Sequence, residues 1–132
     1  MANVEHVAQL QQGAAIWNEW RRSFPLVIPD LSDADLRRAD LSHANLFGAD
    51  LSHAILSEAN LFQAILSAAR LDRALLPKAN LQGANLSDAN LLGANFLSAK
   101  LDGANLRYSV LGMANFTGAE VGTAGSKRSS SV

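Results

Sequence analysis

The sequence predicts an all-β solenoid, and three observations carry that reading. An apolar residue recurs at every fifth position from Leu31 to Val121, for 19 units without an insertion. Ala stands two residues before it at 17 of 18 positions, Ser109 being the exception. The residue between the two is usually Asp or Asn, as in Asp35, Asp40, Asn45, Asn80 and Asn85, so the motif reads A-(D/N)-L-x-x.

A period of five fits neither ordinary element. On an α-helix five residues advance the direction by about 500°, roughly 140° past a full turn, so the leucines would visit every face. On a continuous strand an odd period sends successive leucines to opposite faces. Ala and Leu favour helix intrinsically, but periodicity outranks propensity. The local structure must therefore repeat every five residues, as a short extended piece and then a corner. Ala and Leu point inward together. Asp, Asn, Gly and Ser suit the corners, where Gly48, Gly83, Gly93 and Gly103 fall.

The elements follow in chain order. Residues 1–28 precede the repeat and hold both tryptophans. Val4, Val7, Leu10, Ala14 and Trp17 recur at helical spacing behind Asn3, a suitable N-cap, so residues from about 4 to 20 read as one amphipathic helix. A stack of coils exposes its core at both ends. Val7, Leu10 and Trp17 are expected to cap the first coil, supported by Trp20, Phe24 and Leu26. A partner- or membrane-docking helix is the alternative, but it lacks the basic face that lipid binding favours. Pro25 and Pro29 end the helix and lead FPLVIPD into the first coil. The repeat occupies residues 29–123, and residues 124–132, AGSKRSSSV, read as a flexible tail.

Composition excludes several functions. Ala and Leu supply 44 of 132 residues, 11 basic residues face 12 acidic ones, and cysteine is absent. There are no thiols for disulfides, a zinc knuckle or a cysteine nucleophile. A net charge of −1 gives no reason to expect direct nucleic-acid binding. No apolar run reaches the ~18 residues of a membrane span, so no membrane association is expected. No basic stretch precedes an apolar one at the start, so no secretory signal is expected and a cytoplasmic location is the expectation.

The stretches ADLRRADLSHANLFGADLSHA and ANLQGANLSDANLLGANFLSA resemble the pentapeptide-repeat family. The resemblance covers residues 29–123 and implies a right-handed quadrilateral β-helix with four pentapeptides per coil, to which the helix read from residues 4 to 20 adds an N-terminal α-helical cap. Nineteen units make nearly five coils, roughly 23 Å of rod at strand spacing. Charge supports a coil of four pentapeptides. At that spacing Arg38, Glu58 and Lys78 alternate, Asp50 meets Arg70, and Lys100 meets Glu120, against one like pair, Asp30 with Asp50. In such a stack Leu41, Leu61, Leu81 and Leu101 form one core column, and Phe96 and Phe116 belong to another.

No catalytic, cofactor-binding or metal-binding residues are expected. His43 and His53 fall on different sides with no third ligand, and Asp33, His53 and Arg73 stack as a salt-bridge ladder would. No nucleophile–base pair or phosphate-cradling loop appears. Two surfaces stand out instead. Ile55, Leu75, Pro77 and Leu97 make an outward aliphatic patch on the side of Leu36, Leu56 and Leu76, which serves either β packing or a partner. Phe116 and Val121 are left open at the C-terminal end unless the tail folds back or a second copy pairs there as a homodimer. The sequence thus reads as a non-enzymatic structural or protein-interaction module with an unknown protein partner. The alternative, suggested by the resemblance, is a DNA-mimicking modulator of a type II topoisomerase such as gyrase. Residues 29–123 carry 10 acidic and 7 basic residues, a thin imitation of a duplex, and no projecting loop breaks the register.

Overall fold

The computed structural model describes residues 1–122 and 124–125. From Asp30 onward, every fifth residue pairs in parallel with its counterpart four pentapeptides later. Asp30 meets Asp50, Asp35 meets Ile55, Asp40 meets Asn60 and Asn45 meets Ile65, and the series continues to Asn105 with Gly125. Four bridged positions pass before a row recurs, so the chain is a β-helical solenoid with four sides. Side 1 carries residues 30, 50, 70, 90 and 110, side 2 carries 35 to 115, side 3 carries 40 to 120, and side 4 carries 45 to 125.

Each pentapeptide is tied by the same main-chain bonds. The Leu81 and Gly83 N–H groups donate to the Lys100 and Asp102 carbonyls of the next coil, at 2.7 and 2.9 Å. Asn80 N–H donates back to Ala59 at 2.9 Å, and Ala84 N–H closes the corner onto Leu81 at 3.0 Å. The residue two after each central Leu takes a φ near +60°, which with that closing bond is the pattern of a type II turn. Glycine fills this position only at 48, 83, 93, 103 and 118, while thirteen other residues from Asp33 to Met113 adopt the same left-handed backbone.

The Asp/Asn preference has a direct cause. At twelve corners the Asp or Asn Oδ1 accepts the N–H two residues on, from Ser32 onto Asp30 to Thr117 onto Asn115. The N–H that the turn would leave without a partner is thereby satisfied, as in an Asx turn.

The two inward columns make the core. Leu41, Leu61, Leu81, Leu101 and Phe96 are buried together with the inner alanines. Ser109, the one departure from Ala, is fully buried and its hydroxyl donates to the Leu106 carbonyl at 2.5 Å. Phe116 is only half-buried against this core, and Val121 is 49% exposed, because no further coil lies above them among the described residues. Thr123, at the end of the repeat, and residues 126–132 of the expected tail lie outside the described residues.

The N-terminal segment departs from the single helix expected. It forms α1 (Val4–Gln11) and α2 (Ala14–Ser23). Gly13 separates them with φ +100°, a conformation outside the helical region and open chiefly to glycine. Asn3 caps α1, its Oδ1 accepting from Glu5 and His6 N–H. Val4 does not join the apolar face; it is 78% exposed in the first turn, whereas Leu10 and Trp17 are buried and Val7 is partly so.

Candidate interaction surface

Side 2 carries the aliphatic patch. Ile55 and Leu75 form a bridged pair, and Pro77 and Leu97 stand at successive corners beside them. Leu75 and Leu97 are 41% and 39% exposed, and Ile55 and Pro77 are half-buried. An aliphatic residue at the bridged position cannot accept the corner N–H. At Leu75 nothing is lost, because the residue two on is Pro77, which has no N–H and has the fixed φ that a type II turn favours at its second position. Sequence here trades a capped corner for a stiff one and gains exposed apolar surface.

At the N-terminal end the helices meet sides 1 and 4. The Trp17 indole donates to the Asn45 carbonyl at 2.7 Å, and the Asn18 amide bridges Asn45 N–H and the His43 carbonyl. The Arg21 guanidinium donates to the Phe47 and Val27 carbonyls at 2.7 and 3.3 Å. Arg21 is buried, and burial pulls its ionisation below the ordinary arginine value. On side 1, Asn3 N–H donates to the Asp30 carbonyl while Asp30 N–H donates to His6 Nδ1 at 2.9 Å. Trp20 fills the space between, with ring centroids 5.0 Å from both His6 and Trp17.

The charge ladders form only in part. Arg38 reaches Glu58 and Arg70 reaches Asp50, each at 3.7 Å, but among the described residues Lys78 and Lys100 have no ion pair with Glu58 or Glu120. Shorter pairs form within a corner: Arg37 grips Asp35 at 2.7 Å and holds its carboxyl below the ordinary carboxylate range. The Ser32 and Ser42 hydroxyls do the same for Asp30 and Asp40. Among the described residues no group of three or more His, Asp or Glu side chains gathers as a metal site would need. His43 instead packs edge-on against Phe62 at 5.7 Å. Among the described residues no helix is long and apolar enough to cross a membrane.

The same five-residue architecture is found in known proteins. The family model described as pentapeptide repeats matches residues 30–63, 54–92 and 64–101, in eight copies. The chain belongs to the pentapeptide-repeat family. It is similar to the crystal structure of the pentapeptide-repeat protein Rfr23 from the cyanobacterium Cyanothece 51142, at 41% identity and a TM-score of 0.51 over 74% of this chain. It is also similar to a pentapeptide-repeat protein of the Arabidopsis thaliana thylakoid lumen, at 32% identity and a TM-score of 0.58 over 72% of this chain. The chain spans 64% and 63% of those two proteins' lengths. The search of curated proteins gave no match.

In this chain the two positions after the central residue lie outside the two inward columns, which exposes some large apolar side chains there while Phe62 and Leu92 stay half-buried. Phe47, Tyr108 and Met113, at 52%, 52% and 87% exposure, are surface residues that sequence reading passed over and that this rule would have found.

Proposed function

We propose that this pentapeptide-repeat chain is a non-enzymatic interaction module, a right-handed rod capped by α1 and α2, that engages a protein partner through side 2. The carrying observation is the Ile55–Leu75 pair with Pro77 and Leu97, four aliphatic residues gathered on one side, where the bridged position elsewhere is mostly Asp or Asn. Replacing Ile55 and Leu75 by Asn restores the usual repeat residue at both positions and offers the Ser57 N–H an acceptor at 55, while Pro77 has no N–H to bond at 75. The double variant is expected to melt like the parent yet lose the partner recovered from cells by the tagged parent. Equal recovery of every protein by both would sink the reading.

End-to-end homodimerisation through Phe116 and Val121 belongs to the same proposal, supported by the exposure of the last coil, above which nothing lies among the described residues. Sedimentation at high concentration tests it, a strict monomer being the adverse result. DNA imitation is weaker. Of the acidic residues gathered near the start of the repeat, Asp30, Asp33, Asp35, Asp40 and Asp50, Asp33 faces the Met1 amine, Asp35 pairs with Arg37 and Asp50 lies near Arg70, leaving little continuous negative surface. The absence of any effect on gyrase supercoiling at large molar excess is the expected result. Residence in the cytoplasm is likewise proposed, and cell fractionation decides it.

A further inference from the structure

The helices cover only half of the first coil's lower edge. In the second coil, Ile55 and Asn60 N–H donate downward to Ala34 and Ala39, and the carbonyls of Ile55, Ser57, Asn60 and Phe62 accept from Leu36, Arg38, Leu41 and His43. Their counterparts one coil below are the N–H groups of Asp35 and Asp40 and the carbonyls of Asp35, Arg37, Asp40 and Ser42. None of these six has a hydrogen-bond partner among the described residues. Beside them lies a cleft of about 390 Å³ between the α1–α2 joint, at Leu10 to Ala14, and the floor made by Leu36, Ala39 and Leu41. Ala39 is the one inner alanine between residues 34 and 104 that is not buried, so the solenoid core opens to solvent here.

We propose that this edge and its cleft dock an extended segment of a partner protein, bearing lysine or arginine, that adds to the first coil as a further strand. An unpaired β edge recognises extended backbone, and alternating pockets beside it choose side chains. Between Asp35 and Ser42 the edge offers four acceptors and two donors, the complement of two more pentapeptides, half a coil. The apolar floor below Leu36 and Leu41 takes aliphatic side chains. The bridged positions above the new strand are Asp35 and Asp40. Asp40, held by Ser42 and near Asn60, has no ion-pair partner among the described residues. A cationic side chain at the bridged position of the incoming strand supplies that partner.

The proposal rests on the reading of the chain as an interaction module, and its test is separate from that of side 2. The probe is a synthetic decapeptide, acetyl-AKLSGAKLSG-amide, which places Lys under Asp35 and Asp40 and Leu under Leu36 and Leu41. Saturating peptide is expected to slow hydrogen exchange at the Asp35 and Asp40 amides by about tenfold or more. The version with Glu for Lys is expected to bind roughly tenfold more weakly at low salt. Ala39→Phe fills the cleft and abolishes binding. Asp40→Asn keeps the corner bond, removes the charge and weakens binding, while Ile55→Asn with Leu75→Asn leaves it intact. Four results would each overturn the proposal: no binding at millimolar peptide, protection at Phe116 and Val121 instead, undiminished binding by Ala39→Phe, or equal binding of the Glu peptide. Concentration-dependent protection of the two amides without peptide would assign the edge to a second copy, and would also overturn it.

Discussion

The rings of Phe96 and Phe116 lie parallel, tilted by 1° with centroids 5.0 Å apart, in the column that otherwise stacks Leu36, Leu56 and Leu76. Phe96 is fully buried between coils, and Phe116 has a neighbour on one face only among the described residues. Phe96→Ala is expected to cost about 3–5 kcal/mol and Phe116→Ala clearly less. Urea unfolding of the two variants measures the asymmetry; equal losses would mean that something covers Phe116.

The leucine and alanine columns respond to opposite changes in size. Leu81→Ala leaves a cavity and is expected to cost about 2–5 kcal/mol. Ala84→Leu overfills the neighbouring column, at about 1–3 kcal/mol. Both residues are buried, so either variant retaining the parent's thermal stability contradicts the inward assignment.

Corner conformation is testable without touching the core. A Cβ at Gly48 would meet nothing within 4 Å, so Gly48→Ala reports the cost of φ +66° less the gain from a stiffer unfolded chain. The net is expected to be a loss of about 1 kcal/mol or less. Ala68 holds φ +58° on the surface, and Ala68→Gly makes the reverse change, so it is expected to stabilise by a similar amount. Chemical denaturation of both variants gives the pair of values.

Trp17→Phe keeps most of the buried ring and removes the indole donor from the Asn45 carbonyl. The expected loss is about 1–3 kcal/mol. Trp20→Phe, whose indole makes no such bond among the described residues, serves as the control in the same thermal melts.

Acid should loosen the rod's first coil. The Ser32 hydroxyl, the Arg37 guanidinium and the Ser42 hydroxyl hold the Asp30, Asp35 and Asp40 carboxyls below their ordinary range. Depressed values favour the folded state once the carboxylates are ionised. Their contribution is therefore present above the unfolded value of about 3.9 and is lost as pH falls through the lower folded values. Asn at the three positions keeps the corner acceptor and should flatten that acid limb while leaving neutral stability nearly unchanged. Melting temperatures between about pH 2 and 7 read it directly.

The repeat was legible because its period admits one geometry: Leu81 and Ala84 have inward places whatever the coil's handedness. The charges were less so. Arg38 and Glu58 align as spacing suggests, but Arg37 finds Asp35 within its own corner, since exposed side chains settle on the nearest partner rather than on the one above. The helix break at Gly13 was hidden because apolar spacing runs on through it. The bare edge from Asp35 to Ser42 was invisible for a different reason. Which sides of the first coil the helices cover depends on where Trp17, Asn18 and Arg21 dock, and no local pattern encodes that. The exposure of Leu75 was partly readable, since an aliphatic residue at the bridged position faces outward by register.

Because every bridge joins positions one coil apart, as Asp30 joins Asp50, pairing sets the rules for changing the chain's length. Excising four consecutive pentapeptides from the middle removes a storey and returns every surviving row to its old alignment. Excising a single pentapeptide keeps Leu over Leu and Ala over Ala, yet turns everything above the cut by one side. Ile55 and Leu75 would then no longer share a wall if the cut fell between them. The interior is indifferent to such edits while the exterior is reshuffled by them, so one stable frame can acquire many different faces by gaining or losing single units.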